Sequence, residues 1–393
     1  MNRLTINREN GNVPKALEGE DHVSGLVFYT DALPTAKKGV DGFSETKRIK
    51  AISTIDRAEA MGITADAENW DIRVLHYQLS EAFRLNAGIS LYVGIFKQSE
   101  DFTEIKTLQN YSDGRLRQVG IWAGSRALAA DDLTAIQAVA DALDKENAPL
   151  SVIYSPNVAA VNGLPTNLAK AGLNRVSVVI AQAGSGTGAE LYADEGNGNN
   201  KVSVGIIGVA LGVLSAAKVH QAISWVGGFP TGVTMPAFGD GTLYRSVDKA
   251  AIEELDGARY IFLTTYPGIA GSYISDSHTM DEATSDYAYI EAVRVMDKAV
   301  RGIRVYVTPE LGGNVYIDAE SGKLQPYSCA HLETVAGLAL EQMAKDGEIS
   351  GYSVAVDPEQ DVLSTSTIEI VVKIVQAGVT RKINVKIGYT KSL

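Results

Sequence analysis

The chain has 393 residues, 45% apolar and 21% charged, with a formal charge of −12. That composition builds folded cores, two or three at this length, and excludes wholesale disorder; its acidic surplus excludes a bulk electrostatic grip on nucleic acid. A single cysteine, Cys329, excludes an intrachain disulfide and a cysteine-rich zinc site.

The opening residues lack the long apolar stretch of a signal peptide. Residues 22–30 read as a strand, 46–60 as a helix, 71–86 as a helix and 89–96 as a strand. An amphipathic helix over 131–147 follows, with Leu133, Ile136, Ala140 and Leu143 on one face, then a strand over 150–155 and a β-branched run over 175–181. The Gly/Asn-rich residues 184–200 read as a surface loop. Residues 202–217 are too short and too rich in Gly, Ala and Ser to span a bilayer, and read as a buried helix. A further strand is predicted over 258–265. This alternation predicts an α/β layered body.

Near residue 277 a second strong pattern begins. Thr279 and Glu282 have the spacing of a capping box, which predicts a helix running to about Ile303. Tyr289, Ala292, Val293, Met296, Ala299, Val300 and Ile303 share one face, and Arg294, Lys298 and Arg301 form a narrow basic stripe opposite. The stripe reads either as a solvated face or as a docking surface for an acidic partner.

The end of the chain carries the clearest strand signal. Ile368, Ile370, Val372 and Ile374 alternate with other residues. After Ala377-Gly378, Ile383, Val385, Ile387 and Tyr389 do the same, which predicts a β-hairpin with one apolar face. An isolated hairpin is marginal in water, so that face needs a cover. From Thr367 onward five basic residues stand against Glu369 alone, a net +4 that leaves −16 on the rest. Opposite charges on tail and body favour a cover supplied by a neighbouring subunit.

Motifs that would carry chemistry are few. Gly184-Ser185-Gly186-Thr187-Gly188 follows a strand, but Ala189 stands where a dinucleotide fingerprint needs glycine, and no Walker lysine appears. Of His22, His76, His220, His278 and His331, none has a metal-helix spacing, and the cluster Asp276, His278 and Asp281 reads as capping. Cys329 reads as a small core residue. No catalytic residue, metal ligand or cofactor site is assigned.

Several blocks carry a family likeness. Tyr266-Pro267-Gly268-Ile269-Ala270-Gly271-Ser272-Tyr273, Asp276-Ser277-His278-Thr279, Ser285-Asp286-Tyr287-Ala288-Tyr289-Ile290-Glu291 and Arg294-Val295-Met296-Asp297-Lys298-Ala299 come first. Tyr352-Ser353-Val354, Asp357-Pro358, Asp361-Val362-Leu363 and Ile387-Gly388-Tyr389 close the chain. Over roughly the last third of the chain they resemble the late blocks of phage contractile tail sheath proteins, in particular the short sheaths of Mu-like and related tails.

The resemblance implies a non-enzymatic, force-producing subunit without cofactor. Such subunits stack as hexameric rings around an inner tail tube, meet baseplate and tail terminator proteins, and neither bind nucleic acid directly nor insert into membranes. It implies a two-part α/β body with terminal β arms that exchange strands between subunits: an N-terminal arm over 1–25, an outer domain over 26–265, an inner tube-proximal domain over 266–363 and a C-terminal arm over 364–393. Leu4, Ile6, Ile368, Ile370, Val372, Ile374, Ile383, Val385 and Ile387 would be the arm residues, and Arg294, Lys298 and Arg301 would face the tube. The place would be a virion tail assembled in the bacterial cytoplasm, or a phage-derived injection apparatus. The rival readings are a nucleotide-dependent enzyme using residues 184–188 and a strand-donating surface protein.

Overall fold

The computed structural model describes residues 20–390. Leu4 and Ile6 lie outside them. The body is built on a six-stranded sheet in the order β2-β3-β1-β4-β5-β6: β1 Ser24–Tyr29, β2 Ile49–Ile52, β3 Leu91–Phe96, β4 Gln118–Ala127, β5 Ser151–Asn157 and β6 Val176–Val178. All strands but β2 run parallel, and β2 closes one edge antiparallel to β3.

A parallel sheet needs helices on both faces, so its strands are apolar throughout. Leu26, Val27, Phe28, Val93, Ile95, Val119, Ile121, Val152 and Ile153 are all buried. Helices α1 Ile55–Ala60, α2 Trp70–Leu85, α3 Glu104–Tyr111, α4 Ala130–Lys145, α5 Gly186–Ala193 and α6 Ile207–Ala216 surround the sheet. Helices α2 and α6 pack together, with α6 against β4 and β5, while α3 and α4 lie against β1, β3, β5 and β6.

Close approach is built in by glycine. A Cβ on Gly120 of β4 would stand 2.7 Å from Ile207 Cγ1, and one on Gly208 of α6 would stand 1.9 Å from the Gln78 carbonyl oxygen of α2. Gln78 is itself buried. Its amide donates to the Val204 carbonyl at 2.8 Å, and its Oε1 accepts from the Gly208 N–H at 2.8 Å, which satisfies an orphan donor in the first turn of α6.

Beyond this sheet, β7 Ala181–Ala183 pairs antiparallel with β8 Pro236–Phe238, helix α7 spans Lys249–Gly257, and β9 Leu263–Thr264 pairs with β10 Tyr273–Ile274. The C-terminal unit holds α8 Ile290–Val307, α9 Pro326–Lys345, β11 Ile349–Val356, the short α10 Val362–Thr365 and β12 Ile370–Gln376. One large apolar cluster runs from Val23 to Ile290; two small ones hold the C-terminal unit together, around Leu340 and Met343 and around Leu324 and Leu332.

Four sequence expectations are corrected. Residues 46–60 form strand β2 and short α1 rather than one helix, because Ile49 and Ile52 pair with β3. Residues 184–200 are not a bare loop: they contain α5 and a 3-10 turn, Glu195–Asn197.

The helix after residue 277 begins only at Ile290. The Thr279 hydroxyl donates to the Tyr287 carbonyl, and the Asp281 carboxylate accepts from the N–H groups of Gly172 and Glu282 and from the Ser285 hydroxyl, so the capping-box residues brace a loop.

Finally, β12 pairs antiparallel with β11 rather than with residues 383–389, which form no strand. The eight-residue β11 gives β12 a longer ladder, already seated on α9. Cys329 and His331 lie inside α9, and Cys329 is buried.

Candidate assembly interface

Helix α8 organises the C-terminal unit. Val295 and Ala299 meet Leu340 and Met343 of α9, and a Cβ on Gly302 would lie 2.6 Å from that of Ala339, so the two helices cross closely. Val354, Val372 and Ile374 of the β11–β12 ladder pack onto the same cluster. Ile368 and Ile370 join the cluster around Leu332. The alternation in β12 therefore has one face against the helices, while Val371 and Val375 are exposed on the other. Both outer edges of this two-stranded ladder lack a strand partner among the described residues. Open edges of this kind accept an added strand.

The basic stripe turns inward. Arg294 is buried and donates to the carbonyls of Ala217, the C-cap of α6, and of Asp21, at 3.2 and 3.4 Å. Lys298 Nζ reaches Asp21 Oδ2 at 2.8 Å and Glu348 Oε1 at 2.6 Å, and Arg301 reaches Asp21 Oδ1 at 3.3 Å. Neighbouring Glu20 accepts from Arg117 at 2.6 Å.

Burial pushes the guanidinium groups of Arg294 and Arg301 down to about 10. Asp21 moves the other way: burial acts to raise its pKa, but Lys298 first, then Arg301 and Arg294, hold it below the ordinary carboxylate value. A helix face that looks solvated by periodicity is thus the seat of the chain's own N-terminal segment.

At the other end, Arg381 is clamped. Its Nε donates to both oxygens of Asp276 at 3.1 Å, a second nitrogen donates to Ser277 Oγ at 3.2 Å and to Glu291, and the guanidinium lies 3.4 Å from the centre of the Tyr289 ring. Burial opposes its charge, but Glu291 and Asp276 outweigh that and raise its pKa. Beyond this anchor the described residues take no regular secondary structure. Ile383, Val385 and Ile387 are 77%, 81% and 96% exposed, at every second residue.

The glycine run 184–188 is occupied by protein. A Cβ on Gly184 would meet Leu243, one on Gly188 would meet Tyr77, and Gly186 has φ +64° at the start of α5. Strand β7, which leads into it, pairs antiparallel with β8, so the local unit is not the parallel βαβ that a dinucleotide cradle needs. Among the described residues no group of three or more His, Cys, Asp or Glu side chains is placed to hold a metal, and no helix is long and apolar enough to cross a membrane.

The fold is thus an α/β body on a mostly parallel six-stranded sheet, carrying a helix-pair-and-ladder unit. The chain is similar over 99% of its length to a chain in the contracted helical sheath of the anti-feeding prophage, with a TM-score of 0.64, 16% identity and 99% of that chain covered. It is equally similar, at TM-score 0.64 and 15% identity, to a chain of the anti-feeding prophage baseplate, over 100% of this chain and 99% of that one. The chain belongs to the DUF2586 family: the DUF2586 N-terminal domain matches residues 1–278 and the DUF2586 C-terminal domain residues 286–393. A protein of Haemophilus phage HP1 (strain HP1c1), described provisionally as a tail sheath protein, is 27% identical over 154 residues. That match spans 37% of this chain and 39% of the phage protein, well under two thirds of its length.

Proposed function

We propose that the chain is a structural, non-enzymatic subunit of a contractile tail sheath, or of a phage-derived contractile injection apparatus, that assembles with copies of itself around an inner tube. The observation that carries this reading is the exposed segment Ile383, Val385 and Ile387. Its apolar side chains recur at every second residue and it has no strand partner among the described residues, on a chain whose own β11–β12 ladder has open edges.

Strand addition between copies would cover both, with main-chain hydrogen bonds for strength and alternate side chains for register. A heterologous contact of this type propagates and builds filaments or rings. In this reading Ile368, Ile370, Val372 and Ile374 belong to the acceptor ladder and Ile383, Val385 and Ile387 to the donor strand. Leu4 and Ile6 would supply the N-terminal arm. Stacked hexameric rings and contacts with baseplate and terminator proteins follow from the sheath reading. Arg294, Lys298 and Arg301 can meet a tube only if Asp21 releases them.

Negative-stain microscopy of the purified protein at high concentration tests the proposal. Hollow tubes or stacked rings are expected, and monodisperse monomers would overturn it.

A further inference from the structure

The first described residues and the root of the C-terminal segment both reach one helix, and the first are also tied to the sheet, where Arg117 and Arg115 donate to Glu20 and Gln118 of β4 donates to the Asp21 carbonyl. Asp21 sits on Lys298 and Arg301 of α8, with its carbonyl receiving Arg294, and Arg381 sits on Glu291 in the first turn of the same helix. Seven residues separate Glu291 from Lys298, about 10 Å along a helix that rises about 1.5 Å per residue. Each fastening uses several charge-assisted contacts, the strongest class of hydrogen bond, and Arg381 adds a flat stack on Tyr289.

The fastening of the C-terminal end is also local. A cavity of about 700 Å³, lined by His220, Trp225, Tyr266, Gly378, Thr380 and Ile383, lies beside the arm's root. Helix α8 itself is tied to the sheet through Arg175 and Asp297, at 2.9 and 3.0 Å.

We propose that α8 is a common mooring for both sides of the chain, with Asp21 and Arg381 as the positioning residues, so that tension applied to the ends is shared between this helix and the contacts of Glu20 with Arg117 and Arg115 before it loads the strand pairing of the large α/β body. The proposal rests on the reading that the ends join neighbouring copies, and it gives that reading a mechanical route. A lattice linked by its arms can then move its subunits while each body stays folded. Two charged clamps in series on one helix release before a sheet buried on both faces is disturbed.

Pulling the full-length monomer through its two termini in an optical trap tests this without any assembly. An early, small rupture is expected before the body unfolds. Arg381→Ala alone should abolish it, and a Glu20→Ala, Asp21→Ala double variant should abolish it too, because clamps in series fail together. Arg381→Lys keeps the charge but loses the fork and the stack, and should lower the rupture force to an intermediate value.

Unchanged circular dichroism in the variants, with melting points within a few degrees of the parent, separates loss of the clamp from loss of the fold. An early rupture that survives in either Arg381→Ala or the Glu20→Ala, Asp21→Ala double variant, or a parent chain whose body unfolds first, overturns the mooring. Failure to form tubes with the rupture intact would instead count against the sheath reading alone.

Discussion

Arg175 holds Asp297 with both arms of its guanidinium, at 2.9 and 3.0 Å, and so joins the chain entering β6 to the middle of α8. Asp144 supports the same guanidinium at 3.2 Å. This ion pair is a polar link between the large sheet and the C-terminal unit, and both partners are largely withdrawn from water.

Removing one partner of such a pair strands the other. Arg175→Ala should destabilise the chain by about 3–5 kcal/mol, because Asp297 is left as a buried, uncompensated carboxylate. Burial already raises the Asp297 pKa even with Arg175 in place. Denaturant unfolding measures the loss. An Arg175→Met, Asp297→Leu double variant should recover much of it, since two apolar groups leave no stranded charge.

Acid should release the Asp21 clamp. The folded-state pKa of Asp21 lies below its ordinary 3.8, so between the two values the unfolded chain binds more protons and stability rises with pH. Its contribution is complete above about pH 5 and is lost as pH falls through the lowered folded value. Asp21→Ala should cost about 2–3 kcal/mol at pH 7, from charge-assisted hydrogen bonds left unmade, and little at pH 2. Stability curves of both proteins over pH 2 to 7 should converge at the acid end.

Reversing Arg294, Lys298 and Arg301 together to Glu should damage the monomer itself. The reversed charges would face Asp21 and Glu348 in a buried setting, while Arg294 would cease to donate to Ala217. Like charges without partners in low dielectric cost several kcal/mol. A melting point lowered by more than 10 °C is expected; a stable monomer with only assembly impaired would return the stripe to an external role.

Gly208→Ala tests the α2–α6 contact. Its new methyl would stand 1.9 Å from a backbone oxygen of Gln78, which cannot rotate away. Overpacking typically costs about 1–3 kcal/mol, and a clash with backbone should reach the upper end. A Cβ on Gly257 would meet nothing within 4 Å, so Gly257→Ala, at the end of α7, serves as the contrasting control in the same melts.

A chain ending at Gln376 keeps the whole β11–β12 ladder and loses only the exposed segment with its Arg381 anchor. It should fold with a melting point close to that of the parent and form no sedimentable tubes. A cut at Thr365 would also delete β12, so its failure to assemble would not distinguish a missing arm from a broken acceptor.

The elements with a single dominant signal were legible. The amphipathic α4, the apolar β1, β3 and β5 and the buried α6 all lie close to their predicted spans, because burial on one or two faces writes itself directly into residue order. Strand β4 was missed, since its Gly120 and Gly124 look like turn residues until α6 is seen packing on Gly120. Helix α8 was recognised but started too early, because Thr279 and Glu282 have capping spacing while Asp281 is committed to Gly172 and Ser285.

By itself the sequence determined that the chain builds an α/β body, that its end alternates like a strand and that this end is basic on an acidic protein. These are local or additive properties, fixed by residue type and spacing. Only the tertiary structure decided which strand β12 takes as its partner, that the basic stripe is consumed by Asp21 and Glu348, and that Arg381 is fastened to Glu291. Pairing and charge compensation depend on which groups the fold brings within about 3 Å, and residues 21 and 298 meet there across most of the length of the chain.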